Sequence, residues 1–115
     1  MSPYTGDTPY GLLEQALERL DEALARPADP VIRDAAIKRF EFTFELAWKA
    51  IEAQAPREAL DCLSPRDCFR TAVRLGLIEN DERWMRMVED RNRTAQEVYS
   101  SLVRDFLARL AARQG

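Results

Sequence analysis

The sequence contains no histidine. That absence removes the side chain most used as a general base near neutral pH, and with it the Ser–His–Asp and Cys–His arrangements of nucleophilic catalysis. Cysteine is scarce as well. Cys62 and Cys68 are the only two, and without histidine they do not complete a common zinc set of Cys and His. They are expected to be ordinary reduced thiols, one in a loop and one in a helix, and neither a metal nor a cofactor is expected. Glycine is limited to four residues, and the six prolines sit at positions 3, 9, 27, 30, 56 and 65, so long stretches run without a breaker. No apolar run approaches the roughly 18 residues of a membrane span, and the opening MSPYTGDTPY lacks the charged-then-apolar order of a signal peptide. These absences predict a cytoplasmic protein with no membrane contact. Nor is there an excess of positive charge: 17 Lys and Arg face 20 Asp and Glu, a formal net of −3. No global field therefore draws the chain onto nucleic acid, and any such contact would need a local basic cluster.

What the chain does have is apolar material, 46% of 115 residues against 32% charged, enough for a core and too much for a disordered segment. The length suits one domain over residues 1–115. Leu13, Leu17, Leu20 and Leu24 recur at helical spacing, which predicts a helix from Tyr10 to Arg26, capped by Thr8 and stopped by Pro27. Asp29 and Pro30 then form a cap and first-position pair, opening a second helix with no breaker until Pro56.

This second helix carries two apolar faces. At about 100° per residue, Ile37, Phe40, Phe44, Ala47, Trp48 and Ile51 form a broad core arc, while Ala35, Phe42, Leu46 and Ala53 make a narrower stripe on the other side. Such a helix is either central in its own bundle or covered by a second polypeptide, and the second stripe is expected at a subunit interface. Glu41, Glu45, Lys38 and Lys49 lie between the stripes at offsets that allow ion pairs along the helix.

Pro56 to Leu63 reads as a loop. Ser64, Pro65 and Asp67 predict the start of a short helix with Phe69, Ala72 and Val73 on its apolar side, closed by a left-handed turn at Gly76 over which Leu77 and Ile78 pack. Asn80 and Asp81 open the next helix. From Glu82 onward, Trp84, Val88, Ala95, Tyr99, Leu102, Phe106 and Leu110 keep helical register, interrupted only by Arg91, Asn92, Arg93 and Thr94. A bend or one long helix both fit, and a continuous or merely kinked helix is expected because no Gly or Pro intervenes. Strict alternation persists nowhere outside Phe40 to Phe44. The predicted fold is all-α, an antiparallel four-helix bundle with an extra short helix, of the left-handed up-down type.

Three segments, IRDAAIKRFEFTFELAWKAIE, SPRDCFRTAVRLGLI and ERWMRMVEDRNRT, taken in that order, resemble the nucleotidyltransferase substrate-binding protein family, a branch of the HEPN superfamily. The resemblance implies a four- or five-helix bundle that forms a homodimer and pairs with a small nucleotidyltransferase subunit. It also implies a link to toxin–antitoxin pairs, in which the HEPN member is a ribonuclease with its site at the dimer interface and the transferase adds AMP to a tyrosine. The HEPN signature begins with Arg and a polar residue, matched here by Arg91 and Asn92. The position of its His holds Gln96 and that of its Tyr holds Val98; alternatively, a short segment has been lost and Tyr99 is an ordinary helix residue. Either way the acid and base needed for RNA cleavage are missing. No catalytic residue is expected.

Several residue groups remain as candidates. Arg91, Asn92 and Arg93, joined by Glu41 or Glu45, form either a polar site at the dimer interface or a solvated bend. Trp48 and Trp84 are expected to pack rather than stack a base. Arg33, Lys38 and Arg39 are expected to be neutralised by Asp34 and Glu41 rather than to clamp a phosphate. Three function classes follow: a non-catalytic partner subunit of a minimal nucleotidyltransferase, an inactive or nearly inactive HEPN-type ribonuclease, and a purely structural homodimer. A nucleotide or RNA ligand is compatible with the first two.

Overall fold

Each of the first four helices begins where a short polar side chain can take up a free backbone N–H. In the computed structural model, which describes residues 8–90 and 92–114, these are α1 (Pro9–Leu24), α2 (Pro30–Gln54), α3 (Pro65–Arg74) and α4 (Asp81–Met87), followed by α5 (Arg93–Gln114). A single 3-10 turn, Ala55–Glu58, extends the end of α2. Thr8 Oγ1 accepts from Gly11 N at 3.1 Å, Asp29 Oδ1 from Ile32 N at 2.9 Å, Ser64 Oγ from Asp67 N at 3.2 Å and Asn80 Oδ1 from Arg83 N at 3.1 Å. Caps of this kind contribute about 1 kcal/mol each. Pro9, Pro30 and Pro65 occupy first helical positions, where the missing N–H costs nothing. Gly76, at φ +75°, provides the left-handed turn after α3, and Leu77 and Ile78 are buried behind it.

The described residues form a bundle of five α-helices with no strand. α1 and α2 are an antiparallel hairpin. Tyr10 at the start of α1 donates its hydroxyl to Gln54 Oε1 at the end of α2, 3.0 Å away, and Arg39 of α2 donates to the Arg19 carbonyl at 2.7 Å. α5 runs antiparallel to α1: Arg93, at its start, reaches the carbonyls of Leu24 and Arg26 at the end of α1, and Asp21 takes hydrogen bonds from Ser100 and Arg104. α3 packs on α2 and α4, and α4 on α5. The centre is aromatic. Tyr99 meets Phe40 edge-on at 4.9 Å between ring centroids and Trp84 at 5.2 Å, and Trp84 continues to Phe69 at 5.3 Å and Phe106 at 5.8 Å. Burying such rings dominates the energetics of a core this small.

The segment after Asn80 departs from the expected single helix. α4 ends at Met87 and α5 begins at Arg93. The cause is local side-chain chemistry rather than Gly or Pro: Asp90 Oδ1 accepts from Asn92 N at 3.1 Å, and Asn92 Oδ1 accepts from Ala95 N at 2.9 Å. Short polar side chains that bond their own backbone compete with a continuing helix and start a new one. A second departure concerns the cysteines, which are joined as a disulfide across a Cα–Cα distance of 5.0 Å, not left as thiols. The Ser64 cap and the bond from Leu63 N to Asp67 Oδ2, at 3.3 Å, fold the loop back over the first turn of α3 and bring Cys62 above Cys68.

Candidate functional site

Asn92, Arg93 and Gln96 stand at the end of the bundle where α1 ends and α2 begins. Arg91 lies outside the described residues. Asn92 is committed to capping α5. Arg93 spans two elements, donating to the carbonyls of Leu24 and Arg26 and pairing with Glu97 at 3.5 Å. Its guanidinium satisfies carbonyls left open at the C-terminal end of α1, where a positive charge is also favoured by the helix dipole. Gln96, at the position matched to the motif His, is buried. Together Asn92, Arg93 and Gln96 line a cleft of about 430 Å³ with Ala28, Arg33, Ala36 and Ile37.

The two acidic candidates lie further along α2. Glu41, exposed, follows Ile37 by one turn on the same side of the helix. Glu45 is occupied locally: it accepts from Trp48 Nε1 at 3.1 Å and pairs with Lys49 at 3.5 Å. Neither glutamate lines the cleft that holds Asn92 and Arg93. Besides Arg93, the cleft offers hydrogen-bond donors and the guanidinium of Arg33, but among the described residues that line it none has a proton to give or take near pH 7.

The apolar stripe expected on α2 is not continuous. Phe42 is 58% exposed, whereas Leu46 is 8% exposed and belongs to the chain's own core. Leu46 is thereby corrected from an intermolecular contact to an intramolecular one, because its side chain packs into the core that α2 shares with the helices around it. Ala35 and Ala53 are half-buried.

Phe42 instead has a neighbour that the periodicity of α1 did not single out. Leu12, 40% exposed, falls off the stripe of Leu13, Leu17, Leu20 and Leu24, and that offset was the available signal. Leu12, Ala16 and Phe42 line a second cavity, of about 440 Å³, with Gln15, Arg19, Lys38 and Arg39. The expected neutralisation by Asp34 and Glu41 does not occur for Arg39, whose partners are the Arg19 carbonyl and, at 4.0 Å, Glu22 of α1. Among the described residues, Arg19 and Lys38 form no ion pair. Trp84 is core and Trp48 is half-buried with its N–H satisfied by Glu45, so both tryptophans pack as expected.

Comparison with known proteins places this geometry. The sequence profile of the family described as "Nucleotidyltransferase substrate binding protein like" matches residues 9–112. The chain belongs to that family. The match takes in every helix, and placement in the HEPN superfamily is consistent with it. A crystal structure of a protein from Thermus thermophilus superposes with a TM-score of 0.72 at 34% sequence identity, covering 85% of this chain and 98% of the other. No curated protein matches significantly. Among the described residues no helix is long and apolar enough to cross a membrane, and no group of His, Cys, Asp and Glu is arranged to hold a metal ion.

Proposed function

We propose that this chain is the non-catalytic, substrate-binding partner subunit of a minimal two-component nucleotidyltransferase. The observation that carries the reading is the family match across residues 9–112. Two physical features support it. With no histidine in the sequence and a buried glutamine in the motif position, the Asn92–Arg93 cleft has no acid–base pair for RNA cleavage. In addition, Phe42 and Leu12 leave neighbouring apolar surface uncovered beside Arg19 and Lys38, which form no ion pair among the described residues, and such a surface suits contact with a partner.

In this reading the protein works in the cytoplasm, dimerises, and presents the transferase with a bound substrate or with the surface on which one is held. The test is direct. The purified chain is mixed with a minimal nucleotidyltransferase from the same organism, and the mass in solution is measured by light scattering. A stable heteromeric complex is expected, and two separate species at micromolar concentration would sink the reading. Incubation with tRNA is expected to leave the RNA intact; efficient cleavage lost in Arg91→Ala would favour a ribonuclease instead.

A further inference from the structure

Two large apolar side chains on neighbouring helices are exposed in a chain whose other described rings are buried or half-buried. Leu12 of α1 and Phe42 of α2 flank one groove, and Ala16 forms part of its floor. The rim is positive. Arg19, Lys38 and Arg39 all line it, although the whole chain carries a net −3. Of the three, only Arg39 meets a carboxylate among the described residues, Glu22 at the long distance of 4.0 Å. Arg19 and Lys38 are exposed and form no ion pair among the described residues, so their charges add little to the fold.

From this juxtaposition we infer that the groove between α1 and α2 is the docking site for an acidic amphipathic helix of the transferase subunit, which inserts apolar side chains between Leu12 and Phe42 and lays carboxylates against Arg19 and Lys38. The inference rests on the partner-subunit reading above and adds the surface and the chemistry of what binds it. A helix seated in an apolar groove with charges along its edge is a recurrent mode of recognition. The apolar pair supplies the affinity and the cations set orientation and encounter rate.

A second copy of this chain fits less well. A two-fold axis through the groove would place Arg19, Lys38 and Arg39 of one copy against the same three of the other, and like charges brought together across an interface repel. Nucleic acid fits less well again. Phe42 is a single exposed ring beside the aliphatic Leu12 and Ala16, not the run of rings on which successive bases stack, and Glu22 stands beside Arg39 where it would repel a phosphate backbone.

The test is titration calorimetry of the full chain with the purified transferase subunit, at about 50 mM and about 500 mM salt, where screening differs several-fold in range. The variants are Phe42→Ala, the double charge reversal Arg19→Glu with Lys38→Glu, and Leu63→Ala as an exposed apolar control elsewhere. The wild-type chain is expected to bind more weakly at high salt. Phe42→Ala should lose about tenfold or more in affinity, and the charge reversal about 30-fold at low salt with most of the salt dependence gone. Leu63→Ala should bind like wild type. All substituted positions are exposed, and circular dichroism checks that each variant folds. Equal binding by wild type and groove variants would overturn the docking site while leaving the partner reading in place. No binding by wild type would overturn the reading beneath it. Loss of self-association in the groove variants with transferase binding kept would assign the groove to a second copy, and groove-dependent retention of tRNA would assign it to RNA; either result overturns the inference.

Discussion

Tyr99 sits at the middle of the aromatic core, 0% exposed, with a hydroxyl that no group among the described residues bonds. A buried hydroxyl without a partner costs about 1–3 kcal/mol of desolvation that nothing returns. Its removal in Tyr99→Phe leaves the ring, and with it the edge contacts to Phe40 and Trp84 at 4.9 and 5.2 Å. The void left behind is smaller than a methyl group, so the packing loss stays below about 1 kcal/mol. The variant should therefore be more stable by about 1–2 kcal/mol, a rise in Tm of about 4 °C for each kcal/mol at this chain length.

The same residue gives a second, independent readout. Burial pushes the Tyr99 phenol well above its usual ionisation range. Above about pH 10 the unfolded chain gives up this proton while the folded chain keeps it, so ionisation favours the unfolded state and wild-type stability falls as pH rises. Below that pH both states hold the proton and there is no effect. Tyr99→Phe lacks the group, so its advantage should widen above about pH 10, by up to about 1.4 kcal/mol per unit. Tyr10, whose phenol burial also raises, is present in both proteins and cancels in the difference. Urea unfolding followed by circular dichroism at neutral pH and near pH 10.5 measures both quantities. A variant less stable than wild type by more than about 1 kcal/mol would mean that the hydroxyl is bonded in the folded protein, and would refute the reasoning.

Other substitutions probe the joints of the bundle. Gln54, buried, accepts from Tyr10 Oη at 3.0 Å and from Gln114 Nε2 at 2.9 Å, and donates to Glu58 at 2.9 Å; Gln54→Leu should cost about 2 kcal/mol in urea titration, with about 1 kcal/mol of coupling to Tyr10→Phe in a double-mutant cycle. Gly76→Ala meets no atom within 4 Å, so its cost, about 1 kcal/mol read from Tm, should come from the left-handed backbone at φ +75° alone. Reducing the Cys62–Cys68 bond opens a loop of sequence separation 6 and should lower stability by about 2 kcal/mol, measured as the Tm difference with and without reductant. Unchanged Tm on complete reduction would show that the Ser64 cap alone holds the loop.

How much of this was legible beforehand divides by the range of the interaction. Helix starts were readable because a cap and a proline act within four residues: Thr8–Pro9, Asp29–Pro30 and Ser64–Pro65 each set a boundary that the structure keeps. The break before α5 is equally local, yet the sequence left it open and favoured a continuous helix, because Asp90 and Asn92 lie within an apolar pattern that stays in register across them. Register shows which residues can share a face, not whether the chain turns between them. The disulfide was missed for a different reason, since its geometry depends on how the Ser64 cap folds the loop back, and compartment alone does not decide that.

The candidate site was less legible than the fold, and the cause is competition for the same side chains. Arg93 and Asn92 look in sequence like free polar groups at a motif. In the folded chain one closes the end of α1 and the other opens α5, so both are spent on helix ends. Charges that complete helix ends are tied to a fixed geometry and carry little freedom for a ligand. Arg19 and Lys38, beside Leu12 and Phe42, are among the described cations that carry no such duty. A sequence pattern cannot separate a committed cation from an idle one, because the commitment is to carbonyls from another helix; only the packing of α1 against α5 shows that Arg93 is spent on a helix end.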